Sequence, residues 1–141
     1  MPAEILELIN AAELAILSSH APYSNFHVGA ALMLSNGQIV PGSNQENASF
    51  PIGFCAERTA LSAKVSAFPK KNISAIAIAT LNRDGKTLPP IAPCGMCRQA
   101  LLEEETKQDS PIKVYLLGNQ EEVMILQCVQ DLLPFRFDGK I

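Results

Sequence analysis

Apolar residues at Ile5, Leu8, Ile9, Ala12 and Ile16 recur at spacings of three and four, which predicts one amphipathic helix over about 4–18. Residues 20–25 are polar and punctuated by Pro22, so they read as a loop. An apolar stretch over 27–35 reads as a strand, and Asn36-Gly37 predicts a type I′ hairpin turn. The chain then returns as a second strand over 38–43. Pro41 has no N–H for a ladder, which places that strand at a sheet edge. Residues 44–54 are irregular and rich in turn formers. A helix is predicted to begin near Cys55 and to stop before Phe68-Pro69, because a residue ahead of proline resists helical geometry. Residues 73–80 (ISAIAIAT) are almost unbroken apolar, the pattern of a strand buried on both faces. A long loop over 81–92, carrying Asp84-Gly85 and Pro89-Pro90, leads to a helix over about 94–105. Strands over 112–117 and 123–127 and a short helix near 129–133 complete the pattern.

Two stretches run strand, helix, strand: 38–43 to 73–80, and 73–80 to 112–117. Each predicts a right-handed parallel crossover. Only residues 118–122 separate the last two strands, too few for a parallel connection, so these are expected to pair antiparallel. The fold class expected is α/β, a three-layer α/β/α arrangement around a five-stranded mixed sheet. It would have an antiparallel N-terminal hairpin and an antiparallel last strand. With 141 residues, 48% of them hydrophobic, one domain spanning 1–141 is expected.

Charge and cysteine usage narrow the function classes. The formal net charge is -3 and no basic face is visible, which argues against nucleic acid as a partner. No apolar run is long enough for a bilayer, so no membrane role is expected. The first residues carry Glu4, Glu7 and Glu13 within the helical pattern and do not read as a signal peptide. Four cysteines could form two disulfides in a secreted protein. With no leader, and with three of them in a metal-like pattern, reduced thiolates in the cytoplasm are expected. The fourth, Cys128, reads as a small buried thiol.

The chemistry centres on Cys55-Ala56-Glu57 and on Pro93-Cys94-Gly95-Met96-Cys97. On a helix, Cys94 and Cys97 lie one turn apart and share a face. Cys55 arrives from another element as a third sulfur ligand. Three protein ligands leave one tetrahedral position open, the mark of a catalytic zinc, whereas a structural zinc is closed by four. Glu57 lies roughly 200° around a helix from Cys55, near the metal but off the ligand row, which suits a proton carrier. Three thiolates give Zn²⁺ a net negative environment. Helix N-termini can draw charge from the sulfurs, and Arg58 and Arg98 are candidate counter-charges. Asn44 and Glu46, two apart in an extended stretch, point to one side and could satisfy sugar hydroxyls or serve a turn. Phe26 by itself reads as a core aromatic, and His27 as a satisfied or surface histidine. Phe135 and Phe137 near the C-terminus either fold back on the core or form a contact surface.

The cysteine-glutamate pattern is that of the zinc deaminases. Together with Pro22-Tyr23-Ser24-Asn25-Phe26, Val28-Gly29-Ala30-Ala31-Leu32, Asn44-Gln45-Glu46-Asn47-Ala48-Ser49, Cys55-Ala56-Glu57-Arg58-Thr59-Ala60, Pro93 to Gln99 and Leu132-Leu133-Pro134, the chain resembles the small homotetrameric zinc-dependent cytidine deaminases. The resemblance runs from about Pro22 to Phe137. It implies hydrolysis of cytidine and 2′-deoxycytidine to uridine and 2′-deoxyuridine with release of ammonia, as in pyrimidine salvage. It implies Zn²⁺ on Cys55, Cys94 and Cys97, and Glu57 carrying a proton from the attacking water to ring N3 and then to the departing amine. Arg58 would donate to ligand thiolates. Phe26 would pack on the pyrimidine, Asn44 and Glu46 would hold the ribose 3′-OH, and Ala56 would contact the substrate. In a homotetramer, Phe137 would close a neighbour's site over the base.

Within the resembled superfamily, nucleoside deaminases end on an antiparallel strand, whereas polynucleotide editors place a helix there and run the last strand parallel. The short 118–122 connection therefore favours a nucleoside substrate. A blasticidin-S-type deaminase is the alternative aminohydrolase, although Asn44-x-Glu46-Asn47 is not expected in it. A structural zinc module is disfavoured because Cys128 lies far from both motifs. Two departures stand out: Phe50 occupies a position where relatives carry tyrosine, and the 81–92 loop is longer than usual.

Overall fold

The computed structural model describes residues 1–140. Its centre is the apolar run, which forms a strand (β3, Ile73–Leu81) in the middle of a five-stranded sheet. On one side of it lie β1 (His27–Leu34) and, at the edge, β2 (Ile39–Ser43); on the other lie β4 (Lys113–Leu117) and β5 (Val123–Leu126). β1 is antiparallel to both β2 and β3, β3 and β4 are parallel, and β4 and β5 are antiparallel. The mixed sheet, the edge position of Pro41 and the antiparallel last pair agree with the pattern along the chain.

Alternation along β3 divides the core. Ile76 and Ile78 face one layer, and Ala75, Ala77 and Ala79 the other. The alanine face receives α1 (Ala3–Ala15), whose Ile5, Leu8 and Ala12 pack on it and whose last turn tightens to a 3₁₀ turn, Ile16–Ser18. The approach is close enough that a Cβ on Gly29 would lie 2.0 Å from the Ala12 carbonyl oxygen. The isoleucine face receives α2 (Ala56–Ala67) and α3 (Gly95–Gln108), through Ala60 and Leu61 of the first and Leu101 and Leu102 of the second. Here a Cβ on Gly42 of β2 would meet the Ala60 nitrogen at 2.4 Å and the Ala56 oxygen at 2.6 Å. Glycine at 42 thus lets the first turn of α2 rest directly on the sheet, which sets the height of the Cys55 motif above it.

Three details differ from the sequence-based expectations. A type I′ turn needs positive φ at both central residues, but Gly37 alone has it, at 84°. Leu34 donates its N–H to Gln38 at 2.8 Å and accepts that of Gly37 at 2.9 Å, so the loop has three residues and ends in a left-handed glycine. The Asn36 side-chain oxygen accepts the Gln38 N–H at 3.1 Å, which favours this arrangement. α3 continues past the expected 105 to Gln108 and stops at Asp109, in the left-handed conformation with φ 53°. Cys128 is half-buried rather than buried; it stands at the N-cap of a last 3₁₀ turn, Val129–Leu132.

α3 buries two of its three consecutive glutamates. Glu105 accepts the N–H groups of Ile112 at 2.8 Å, Val129 at 2.7 Å and Gln130 at 3.1 Å. It therefore fastens the entry to β4 and the last 3₁₀ turn to one helix, and hydrogen bonds to a charged group are worth roughly 1.5–3 kcal/mol each. Glu104 pairs with buried Lys64 of α2 at 3.4 Å and with Lys107 one turn on. Burial pushes its carboxyl up, but the Lys107 hydrogen bond and the Lys64 charge outweigh that and hold it below the usual carboxylate range.

Candidate active site

Two helix N-termini converge on the sulfurs. Cys55 is the N-cap of α2 and Cys94 the N-cap of α3, both with extended backbone, while Cys97 is fully buried in the first turn of α3. Cys94 thus stands one residue outside the helix that was expected to contain it, still one turn from Cys97. The three Sγ atoms lie within 4.8 Å of one another, with Cys55–Cys94 at 3.9 Å and Cys94–Cys97 at 3.6 Å. Neighbouring sulfurs on a tetrahedral ion with bonds of about 2.3 Å are about 3.8 Å apart. The donor set and its spacing therefore fit zinc, with one position left over.

The electrostatics point the same way. The Cys55 thiol is lowered to about 6, chiefly by a hydrogen bond from Cys97, with the Arg58 charge assisting and burial and Glu57 opposing. Cys97 is pushed up, first by its interaction with Cys55 and then by burial and the negative charge of Glu57 and Cys55. Three sulfurs this close repel one another once ionised, and a bound cation together with the positive helix ends offsets that repulsion.

Glu57, in the first turn of α2, is 6% exposed, and its Oε2 is 3.6 Å from Cys97 Sγ. Burial raises its carboxyl above the ordinary range, against the lowering effect of its backbone and Cys97 hydrogen bonds. It adjoins the sulfur cluster without belonging to it, the arrangement required of a group that moves protons.

A cavity of about 470 Å³ opens beside this cluster. Its lining joins Phe26, Asn44, Glu46, Cys55, Ala56, Glu57 and Cys94, residues separated by up to 68 positions in the chain (94 minus 26). Asn44 and Glu46 are each held by main-chain bonds. The Asn44 side-chain oxygen accepts the Val28 N–H at 2.8 Å and its Nδ2 donates to the Phe26 carbonyl at 2.8 Å, which leaves one Nδ2 hydrogen. Glu46 Oε1 accepts the N–H groups of Tyr23 at 2.9 Å and Ser24 at 3.1 Å, so both main-chain bonds fall on one oxygen. Bonds from Ser24, with its hydroxyl first, hold this carboxyl below its usual range. The bonds that build the turn thus leave other polar atoms of the same side chains for the sugar contacts that the resemblance implies.

Other residues take places that the motifs did not reveal. Arg58 lies over the Phe54 ring, 4.4 Å from its centroid, and acts on Cys55 through its charge; no hydrogen bond from it to a sulfur occurs among the described residues. The hydrogen bonds of Arg98 go to backbone carbonyls. Its Nε donates to the Pro93 carbonyl at 2.7 Å and its guanidinium to the Leu132 carbonyl at 3.0 Å, which braces the Cys94 turn against the last 3₁₀ turn. Phe50 lines the cavity and meets Tyr23 edge-on at 5.2 Å. The end of the 81–92 loop also reaches the wall, through Ile91 and Ala92, and so does Thr80. The signal for Thr80 was present: it is the polar residue that closes ISAIAIAT. His27 shares a hydrogen bond with Ser19, away from the cavity.

The C-terminal aromatics do not fold back. Phe135 is 98% exposed and Phe137 68% exposed, although Gln99 Nε2 donates to the Phe137 carbonyl at 2.9 Å. The tail is tied down by its main chain while its rings face outward.

Comparison with known proteins agrees with this geometry. Residues 3–109 match the family model described as the cytidine and deoxycytidylate deaminase zinc-binding region. A cytidine deaminase from Halalkalibacterium halodurans is 38% identical over 136 residues, covering 96% of this chain and 92% of that protein. One from Mycobacterium tuberculosis is 36% identical over 108 residues, covering 74% of this chain and 77% of that protein. The crystal structure of cytidine deaminase from Burkholderia pseudomallei superposes with a TM-score of 0.81 at 39% identity, covering 97% of this chain and 100% of that one.

Proposed function

Because this chain belongs to the cytidine deaminase family, hydrolases that deaminate cytidine, we propose that it converts both cytidine and 2′-deoxycytidine to the uracil nucleosides within pyrimidine salvage. The observation that carries this reading is the cluster of Cys55, Cys94 and Cys97 with Glu57 beside it at the wall of one cavity. Those three cysteines would hold zinc, which when bound supplies Lewis acidity that makes water a nucleophile near neutral pH. Glu57 accepts a proton from the attacking water as its oxygen bonds to C4, and passes that proton to ring N3. A second transfer through the same carboxylate reaches the exocyclic amine, the C4–N bond breaks, and ammonia leaves.

The remaining contacts orient the substrate. Phe26 packs on the pyrimidine. Ala56 stands at the first position of α2, where a backbone N–H has no partner within the helix. The free Nδ2 hydrogen of Asn44 and Oε2 of Glu46 hold the 3′-OH, which both nucleosides carry, so ribose and deoxyribose are accepted alike. No lysine or arginine lines the cavity among the described residues, and nucleotides are therefore poor substrates. Zinc-loaded protein should lower the absorbance of cytidine and of 2′-deoxycytidine at 280 nm. If it converts neither, the assignment is wrong.

Assembly follows from the tail. Two outward-facing aromatics on a short end favour burial against another chain. In the homotetramer that the resemblance implies, Phe137 would cover a neighbour's base, with the enzyme working in the cytoplasm as one domain over 1–141. No helix of the described residues is long and apolar enough to cross a membrane. Co-expression of Glu57→Gln and Phe137→Ala chains tests the trans arrangement. A Phe137→Ala site keeps its glutamate and borrows a ring from its Glu57→Gln neighbour, so mixed tetramers should exceed the Phe137→Ala homotetramer in activity per intact Glu57. Absence of rescue in verified mixtures would place Phe137 in cis or outside the reaction.

A further inference from the structure

Thr80 closes the apolar run of β3, and its hydroxyl is a buried side-chain oxygen with no hydrogen-bond partner. The residue is only 5% exposed. A buried polar atom left unpaired is unfavourable, and valine would occupy the same volume without that cost. The position explains the choice of threonine. Strand alternation puts Thr80 on the same face as Ile78, beneath α2 and α3, and both line the cavity together with Glu57 and Asn44. Its register partner across β1 is Val28, a further lining residue, whose N–H is held by the Asn44 side chain. Thr80 also lies near the C-terminal end of a strand paired in parallel with β4, the end at which open α/β sheets receive ligands.

From this we infer that the Thr80 hydroxyl is a substrate-positioning group, forming a hydrogen bond to the bound pyrimidine nucleoside directly or through one ordered water. The inference rests on the cavity being the nucleoside site proposed above. A hydroxyl both donates and accepts, and it exchanges places with its own methyl by one step between staggered χ1 wells. Oγ1 is turned away from solvent in the free protein and faces the cavity when a partner arrives. The competing account is local: Thr80 also borders a smaller cavity beside Thr87 and Gly118, and a water held there would satisfy the hydroxyl without substrate.

Wild type, Thr80→Val and Thr80→Ser are compared for cytidine turnover, for calorimetric binding of uridine and for thermal midpoint without ligand. Thr80→Val should raise KM for cytidine and Kd for uridine about three- to tenfold, the worth of one neutral hydrogen bond. Its kcat should stay within about twofold and its midpoint should be equal or higher, while Thr80→Ser restores both constants. Unchanged KM and Kd in Thr80→Val overturn the inference, and a lowered midpoint alongside them assigns the hydroxyl to the internal water. A wild type that neither turns over cytidine nor binds uridine overturns the proposed function itself, and the Thr80 role with it.

Discussion

Glu57→Gln should reduce cytidine turnover by about 10⁴-fold or more while the protein keeps its zinc, its uridine binding and its thermal midpoint. General acid–base assistance is typically worth about 10²–10⁴-fold, and in the proposed reaction one carboxylate serves successive transfers to N3 and to the leaving amine. The amide has the same shape and removes no ligand, but it cannot accept the proton of water. No second carboxylate stands ready: Glu46, the other one on the cavity wall, is tied to the 21–25 turn through Tyr23 and Ser24. The comparison is a single-turnover rate alongside zinc counted per chain. A variant within tenfold of wild type would remove Glu57 from the reaction, and one that loses zinc would make it a ligand instead.

Cys94→Ala should abolish activity and leave less than one zinc per chain, with a thermal midpoint lower by about 10 °C. A ligand present at a thousand times its Kd stabilises a fold by about 4 kcal/mol, and a chain of this size shifts by about 2–4 °C per kcal/mol. Cys94 is the informative ligand because its side chain is exposed at an N-cap, so truncation leaves no cavity in the core. Cys97 is fully buried, and its removal would mix metal loss with packing loss. Wild type stripped by a chelator should melt where Cys94→Ala melts and should regain activity when zinc returns, which the variant cannot do. Full zinc content and activity in Cys94→Ala would take Cys94 out of the metal site.

Much of this was legible along the chain because it is local. Helical and strand periods follow from backbone geometry over a few residues, so β1, β3, the α2 stop before Pro69, and α1 taken together with its closing 3₁₀ turn agree within a residue or two. The antiparallel last pair followed from the length of its connection. The candidate zinc donors were readable because ligand chemistry belongs to residue type, and short spacings such as Cys94 to Cys97 place donors together before any tertiary contact forms. The Asn36-Gly37 turn departs from expectation within that same local range. Two turn types share the dipeptide, and the side-chain bond of Asn36 to Gln38 selected the three-residue form.

What tertiary structure alone decided depends on which distant segments meet. Gly29 and Gly42 look like ordinary strand glycines until α1 and α2 lie against them at distances that exclude a Cβ. Glu104 and Glu105 look like a solvated run, yet one is paired with Lys64 and the other gathers N–H groups from residues 112, 129 and 130. Arg98 finds its second partner in Leu132, 34 positions away. Asn44 and Glu46 are held by β1 and the 21–25 turn, partners that chain order alone does not name. Thr80 is orphaned only because the sheet order buries the end of β3 under the cavity. Residue type sets what each group can do chemically; the order of the strands and the helices laid on them set which groups meet.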